Sequence, residues 1–376
     1  MSLPELEWLS HVMPMTRFYA RRVKESNLHG KVIACCQHIT LSSVPMFLAL
    51  HEAGAQMHIA SCNLHSTDDR AVSFLRDRGI CIYAKSGMTQ SEYQNNLLRL
   101  REANAPFLHD MGSDLISLYR ESKTVKAALE ATTTGLLKLP KDLPFPVYNW
   151  NDIPFKNGLH NRYHVAESVW AIFSQITGMT LFGKAVLVLG FGPVGRGIAE
   201  RARNMGAVVR IVEKDSVRSL EAQHMGCEVL SLEEGLAKSE VVVTATGREC
   251  VIGKAAAKYI RNGAVFLNAG HSNREIDFAD LNSRLVLPHI RKFETSQGSF
   301  FVLAEGALLN LATNTGLHGR EAFDIFEAFM LRAVSWLLTH ENHREGGLHD
   351  FPKEIELEVA EIALGKTKTS NSSIPA

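Results

Sequence analysis

Gly190, Gly192 and Gly195 stand at the spacing GxGxxG, in the run Gly190-Phe191-Gly192-Pro193-Val194-Gly195. Glycines so placed let a backbone turn tightly and approach a pyrophosphate, whose charge then meets the N-terminus of the next helix. The surroundings supply the other parts that such a site needs. The apolar strand Lys184–Leu189 (KAVLVL) precedes the glycines and the helical GRGIAERARNMG follows them. A second strand, Val208–Val212, ends in Glu213, which lies 18 residues beyond Gly195. A carboxylate there accepts hydrogen bonds from the adenosine ribose and repels a 2′-phosphate, so the expected cofactor is NAD rather than NADP. Two further strands end in residues suited to line the same ligand. Val241–Gly247 closes on Thr246 and Gly247, and Phe266–His271 on Asn268, Ala269, Gly270 and His271. Ligands of open α/β sheets bind at the carboxyl ends of strands. Pro193, Val194, Thr246, Gly247, Ala269, Gly270 and His271 therefore join the three glycines and Glu213 as expected cofactor contacts.

The elements that must hold this site come in a strand–helix alternation that runs twice. In the first third, Lys31–Cys36, Gln56–Cys62, Ile80–Ala84 and Phe107–Asp110 read as short buried strands. The helical stretches Val44–Ala53 and Ser91–Ala103 lie between them, and Val147–Asn151 is one more strand. Around Lys156–Tyr163 a polar segment leads into a helix, Val165–Thr177, and the alternation restarts at Lys184. The pattern predicts two doubly wound parallel α/β domains. Residues 1–162 are expected as the first, 163–320 as the dinucleotide domain, 321–366 as a helical return to the first, and 367–376 as a disordered tail. Within the return, Arg320–Leu338 is amphipathic, with Phe323, Phe326, Phe329, Met330, Val334 and Leu337 at helical spacing, either as core or as an oligomer face.

Composition narrows the partners. Hydrophobic residues make up 45% of the 376 residues, charged residues 21%, and the formal net charge is zero. Such a chain has no charge excess to draw it to nucleic acid or an anionic membrane, and its ligand belongs in a pocket. The six cysteines form no CxxC and no zinc-ligand spacing, so no metal is expected and the thiols read as reduced and mostly buried. The first residues lack the apolar core of a signal peptide, and no apolar run is long enough for a membrane span. A cytoplasmic location is the expectation.

From about Gly30 to Lys366 the chain resembles the S-adenosylhomocysteine hydrolase family. The resemblance rests on CQHIT at 36–40, SCNLHSTDD at 61–69, ATTTG at 131–135 and YNWND at 148–152. GFGPVGRG at 190–197, NAGHSNREID at 268–277 and LAEGALLNL at 303–311 follow in the family's order. It implies tightly held NAD that oxidises a substrate 3′-hydroxyl, loss of the C4′ proton, elimination at C5′ and return of the electrons. On this resemblance Lys156 helps deprotonate the 3′-hydroxyl, His38 protonates the leaving group with Thr40 beside it, and His271 lies near the ribose. Asn161 packs at the nicotinamide, and Thr132, Thr133, Thr134 and Asn310 join the cofactor contacts.

The departures from the family are equally specific. Its DDGGD loop reads Asp110-Met111-Gly112-Ser113-Asp114 here, and its EETTTG reads Glu130-Ala131-Thr132-Thr133-Thr134-Gly135. The aspartate four residues after the lysine is His160, a glutamate two residues past CQHIT is Ser42, and a cysteine near the nicotinamide is Val165. The adenine-side histidine is Leu317, with His318 next to it, and the family's C-terminal tail, which reaches a neighbour's NAD, has no match. Thr40, Ser42, Met111, Asp114, Thr132, Leu317 and His318 are thus the expected substrate contacts. Among the carboxylates, Asp110 is the expected catalytic survivor, Asp114 and Glu130 are within reach of a small loop shift, and His160 is a base for near-neutral pH.

These residues predict an enzyme of altered substrate that oxidises a nucleoside or related sugar transiently and then eliminates a group beside the carbonyl. A nucleoside dehydratase or lyase uses the same first steps as loss of homocysteine. The alternatives are a divergent hydrolase of S-adenosylhomocysteine and a catalytically silent NAD-binding regulator. A homodimer or homotetramer is expected.

Overall fold

A computed structural model describes residues 4–140, 142–312 and 319–366. The expectations at Leu317, His318 and the 367–376 tail lie outside them. The chain divides into two compact units, one running to Lys156 and resuming at Arg320, the other spanning Asn157–Gly319. The expected boundary after Arg162 falls inside the second unit. Its guanidinium pairs with Glu200 at 2.8 Å, and its carbonyl lies where a Cβ on Gly197 would sit.

In the first unit seven parallel strands run in the order Cys81–Tyr83, Gln56–Ala60, Val32–Cys36, Phe107–Asp110, Ala127–Glu130, Pro146–Asn149, Gly347–Asp350. The order reverses between Val32–Cys36 and Phe107–Asp110, as in doubly wound folds, and opens a crevice at the carboxyl ends of those two strands. Strands such as Phe107–Asp110 and Ala127–Glu130 are buried along their whole length, which a parallel sheet covered on both faces requires. The return from the second unit was expected to be helical. It also brings the strand Gly347–Asp350 to the sheet edge beside Pro146–Asn149, followed by the helix Lys353–Ala363.

The helix Asp324–Thr339, preceded by the short 3-10 turn Glu321–Phe323, settles the earlier alternative. Phe323, Phe326, Phe329, Met330, Val334 and Leu337 are all buried within the chain itself, so they are core. Phe329 stacks on Phe155 at 4.8 Å and Phe326 on Trp150 at 5.6 Å. At its N-terminus Asp324 accepts hydrogen bonds from the backbone N–H of Met15 (2.9 Å) and Thr16 (2.7 Å), tying it to the helix Pro14–Lys24. Asp324→Ala leaves both donors buried without an acceptor. It is expected to cost about 2–4 kcal/mol, read as a lowered denaturant midpoint at unchanged slope.

In the second unit the order is Glu228–Val229, Val208–Val212, Ala185–Leu189, Val241–Thr244, Val265–Asn268, Gly298–Leu303, all parallel. Ile290–Thr295 and Ser283–Leu287 extend it as an antiparallel hairpin that the strand–helix pattern did not foretell. Both sheets are thus doubly wound, as expected. The helix Val165–Thr177 is prolonged upstream by a wide helical segment, Phe155–His164, where a polar connection was expected. Cys35, Cys36, Cys62 and Cys227 are buried thiols, Cys81 and Cys250 exposed ones. No helix among the described residues is long and apolar enough to cross a membrane.

Candidate functional site

In the first unit the family-matching residues collect at the carboxyl ends of the strands, which is where the reversal of strand order places a crevice. His38 follows Val32–Cys36, with Nδ1 2.6 Å from Ser66 Oγ and 3.4 Å from Cys62 Sγ. Thr40 Oγ1 meets Ser42 Oγ at 2.9 Å, and Ser42 Oγ donates to Glu327 Oε1 at 3.4 Å. Thr40 and Ser42 are buried, as is Met111 beyond Phe107–Asp110.

The carboxylates expected at the substrate are already engaged. Glu130 accepts from the N–H of Gly112 (3.0 Å), the N–H and Oγ of Ser113 (2.9 and 2.8 Å) and the N–H and Oγ1 of Thr132 (both 2.7 Å). It is the clamp that shapes the loop after Asp110. A Cβ on Gly135 would lie 2.3 Å from its Oε1, so ATTTG must end in glycine. A carboxylate holding five donors is not released by a small loop shift, and Thr132 spends its hydroxyl on Glu130 and on the Gly135 N–H. Asp114 is held by Tyr93 Oη and Lys138 Nζ, both at 2.7 Å. Asp110 is wholly buried, accepts from the Ile116 N–H at 2.8 Å, and is held well above the usual carboxylate range by burial and then by Glu130. Through Oδ2 the Asp110 carboxyl fastens the turn into Asp114–Leu118, while its buried Oδ1 has no hydrogen-bond partner among the described residues.

Lys156 stands apart from all of these. Its ammonium lies 4.3 Å from the centre of the Phe326 ring. Burial lowers its pKa from 10.5 to about 7, against the pull of Glu130 and Glu327. Glu327 is its counterpart. Only 7% exposed, it has its pKa raised from 4.5 to about 7 by burial, while Ser42, Arg320 and Lys156 favour the charged form. Arg320 is buried too, with Asp68 and Glu327 nearby. Glu327 and Arg320 were missed in the sequence. For Glu327 a signal was present, because positions 323, 327, 330 and 334 form one helical stripe, and a carboxylate on an otherwise apolar stripe is a buried charge.

In the second unit the glycine turn has the geometry that a dinucleotide needs. Gly190 has φ +94, and a Cβ there would lie 2.9 Å from the Ala245 carbonyl oxygen. A Cβ on Gly195 would fall 1.9 Å from the Gly190 carbonyl oxygen, so helix and strand pack too closely for any side chain. Gly192, by contrast, faces open space, its nearest atom being Arg218 Nη1 at 3.8 Å. It caps the helix Pro193–Asn204, whose first turn receives no side-chain cap. Val194 lies in that first turn. Glu213 follows Val208–Val212, accepting from the N–H of Phe191 (2.6 Å), Lys214 (2.7 Å) and Asp215 (2.9 Å). A carboxylate has about four lone-pair sites, so acceptor capacity remains for ribose hydroxyls. The residues fit NAD.

The other expected cofactor contacts sit around a second clamp. Thr246 through its N–H and hydroxyl, and Gly247 through its N–H, donate to Glu275. A Cβ on Gly270 would meet that same carboxylate. Ala269 is buried in the chain turn after Val265–Asn268, and His271, beyond it, is half-buried. Asn310 is 2% exposed. Asn161 donates to Asn157 Oδ1 at 3.0 Å. His160, 5% exposed, stands edge-on to His164 at 5.8 Å in the second unit, whereas Lys156 closes the first. Thr133 accepts from Asn151 Nδ2 at 3.0 Å in the first unit, and Thr134 is half-buried beside it.

The chain matches two family patterns. One described as S-adenosyl-L-homocysteine hydrolase covers residues 4–135, and one described as the NAD binding domain of that enzyme covers 161–316. An adenosylhomocysteinase of Pyrococcus abyssi is 31% identical over 96% of this chain and 90% of its own. An S-inosyl-L-homocysteine hydrolase of Methanosarcina mazei is 33% identical over 96% of this chain and 91% of its own. An adenosylhomocysteinase of Archaeoglobus fulgidus is 32% identical over 96% and 93%.

Proposed function

This chain belongs to the S-adenosyl-L-homocysteine hydrolase family of NAD-dependent hydrolases, and from that premise we propose that it acts on a nucleoside or related sugar by transient oxidation at C3′. NAD, its cofactor, supplies a reversible two-electron oxidant, so the cycle ends with no net oxidation. Lys156, whose pKa desolvation brings down to about 7, takes the proton of the 3′-hydroxyl in its neutral form. The ketone so formed acidifies the C4′ proton, a base of the site removes it, and the electron pair left at C4′ expels the group at C5′, which departs with a proton from His38. Water as the departing group makes the net reaction a dehydration, which is the outcome we favour. A thioether departing, followed by addition of water, makes it the hydrolysis for which the relatives are named.

The observation that carries this reading is Lys156 itself. A half-buried amine whose pKa desolvation brings down to about 7 is the base that a hydroxyl oxidation needs, and it persists although Ser42, Met111 and Ala131 bring no carboxylate. The test is purified protein incubated with adenosine, inosine and S-adenosylhomocysteine, following nicotinamide reduction and the released product. Reduction with water loss supports the dehydratase. Homocysteine release supports the hydrolase, and no reduction with any of them overturns the proposal.

Glu213 is proposed as the residue that selects NAD. Glu213→Ala is expected to weaken NAD binding by about 1–3 kcal/mol and to narrow the preference over NADP. Equal affinity of the unaltered protein for both cofactors, measured by calorimetry, would show the selection to lie elsewhere.

A further inference from the structure

The helix Asp324–Thr339 brings one carboxylate to the first unit's strand ends that no part of the fold consumes. It packs on Phe107–Asp110 and Ala127–Glu130, the strands that lead into the Met111 and Thr132 loops. Glu327 faces that way. Its Oε1 takes the long 3.4 Å hydrogen bond from Ser42 Oγ, and among the described residues no donor reaches its buried Oε2. Phe326, the preceding residue, carries Lys156 Nζ above its ring at 4.3 Å, and the Lys156 and Glu327 charges are close enough for each to bear on the other. The other charged groups that bear on Glu327 are Arg320 and Asp324, and on Lys156, Glu130. Glu130 is consumed by its five donors and Asp324 by Met15 and Thr16, which leaves Glu327 as the carboxylate with acceptor capacity beside the lysine.

We propose that Glu327 grips the substrate sugar's 3′-hydroxyl beside Lys156, supplying from the helix Asp324–Thr339 the carboxylate that Ser42, Met111 and Ala131 do not. A hydroxyl suits the pair because it donates through one O–H and accepts through two lone pairs. In the bound complex it donates to Glu327 Oε2 while accepting from a Lys156 N–H, and rotation of the same O–H onto the lone pair of the neutral amine then hands Lys156 the proton. A purine amino group donates only and leaves the amine unmatched. The near-neutral pKa that burial gives Glu327 agrees with a carboxylate kept for a ligand rather than for an ion pair. The assignment rests on the function proposed above for its substrate class.

The test compares binding of adenosine, 3′-deoxyadenosine and inosine to NAD-loaded parent, Glu327→Gln and Glu327→Asp proteins by calorimetry, alongside nicotinamide reduction. The parent should prefer adenosine to its 3′-deoxy form. Glu327→Gln should lose about tenfold or more of the adenosine affinity and most of that preference, with the adenosine-to-inosine ratio unchanged. Glu327→Asp should recover part of both. If thermal melting shows the glutamine variant unfolded, the aspartate variant decides, through an adenosine affinity intermediate or unaltered. Unaltered affinities, or a change in the inosine ratio instead, overturn the assignment. Loss of hydroxyl preference in a protein that never reduces NAD leaves the assignment standing and sinks the oxidation. Reduction that Glu327→Gln supports at parental kcat and KM does the reverse. A parent that neither binds adenosine nor reduces NAD with it refutes both.

Discussion

Lys156→Ala is expected to lower substrate-driven reduction of bound NAD by about 10²–10⁴-fold while leaving NAD affinity within a factor of about two. The size follows from removing the general base and leaving Glu327 as the remaining acceptor beside the hydroxyl. Glu130 is clamped by five donors, Asp110 is sealed, and Asp114 is paired with Lys138. The pH profile makes the test specific. Burial lowers Lys156 to about 7 and raises Glu327 to about 7, so protonating either one removes an acceptor. Reduction by the parent should therefore climb as pH rises through about 7 and level off above it. Stability shifts in the same direction through the lysine. From about 7 up to 10.5 the unfolded chain holds a proton that the folded Lys156 does not, so this group makes unfolding less favourable as pH rises across that window. Lys156→Ala should remove that slope, measured as denaturant midpoints at several pH values. A variant that reduces NAD as fast as the parent would place the base elsewhere.

Gly195→Ala is expected to abolish NAD retention and to destabilise the second unit by about 3 kcal/mol or more. The added methyl would lie 1.9 Å from the Gly190 carbonyl oxygen and 2.9 Å from its carbon, both of them backbone, so helix Pro193–Asn204 must move off Ala185–Leu189. That movement shifts the helix N-terminus and the turn at Gly192 on which a pyrophosphate depends. Gly192→Ala is the control. Only Arg218 Nη1, 3.8 Å away, lies near its added methyl, so the fold should tolerate it and only NAD affinity should fall. Thermal melting with and without NAD separates the two. Equal melting temperatures for both variants and the parent would refute the packing account.

Much of the fold was legible because parallel sheets write themselves into short, wholly apolar runs. Phe107–Asp110, Val208–Val212 and Val165–Thr177 have the same limits in the chain and in the structure, and the other expected strands are one to three residues shorter than their apolar runs. The hairpin Ser283–Leu287 and Ile290–Thr295 escaped because it is largely exposed and lacks a strong apolar alternation. Gly347–Asp350 escaped because only Gly347 of its four residues is buried at the sheet edge, and nothing local says which edge it joins.

The dinucleotide turn was determined by the sequence alone. A glycine requirement is a backbone property, set by steric contacts within a few residues, so GxGxxG between a strand and a helix already specifies Gly190, Gly195 and the open Gly192. The family motifs likewise named Lys156 and His38 from their neighbours in the chain. What the carboxylates do was decided only by tertiary structure. Glu130, Asp110 and Asp114 read as a pool of candidates because charge is visible in a sequence, whereas the donors that consume them come from other loops. Glu327 lies 171 positions after Lys156 and 285 after Ser42, and only the return of the chain to the first unit sets it beside them. Burial then moves its pKa and that of Lys156 toward one another. Desolvation depends on what surrounds a side chain, and no residue carries that information by itself.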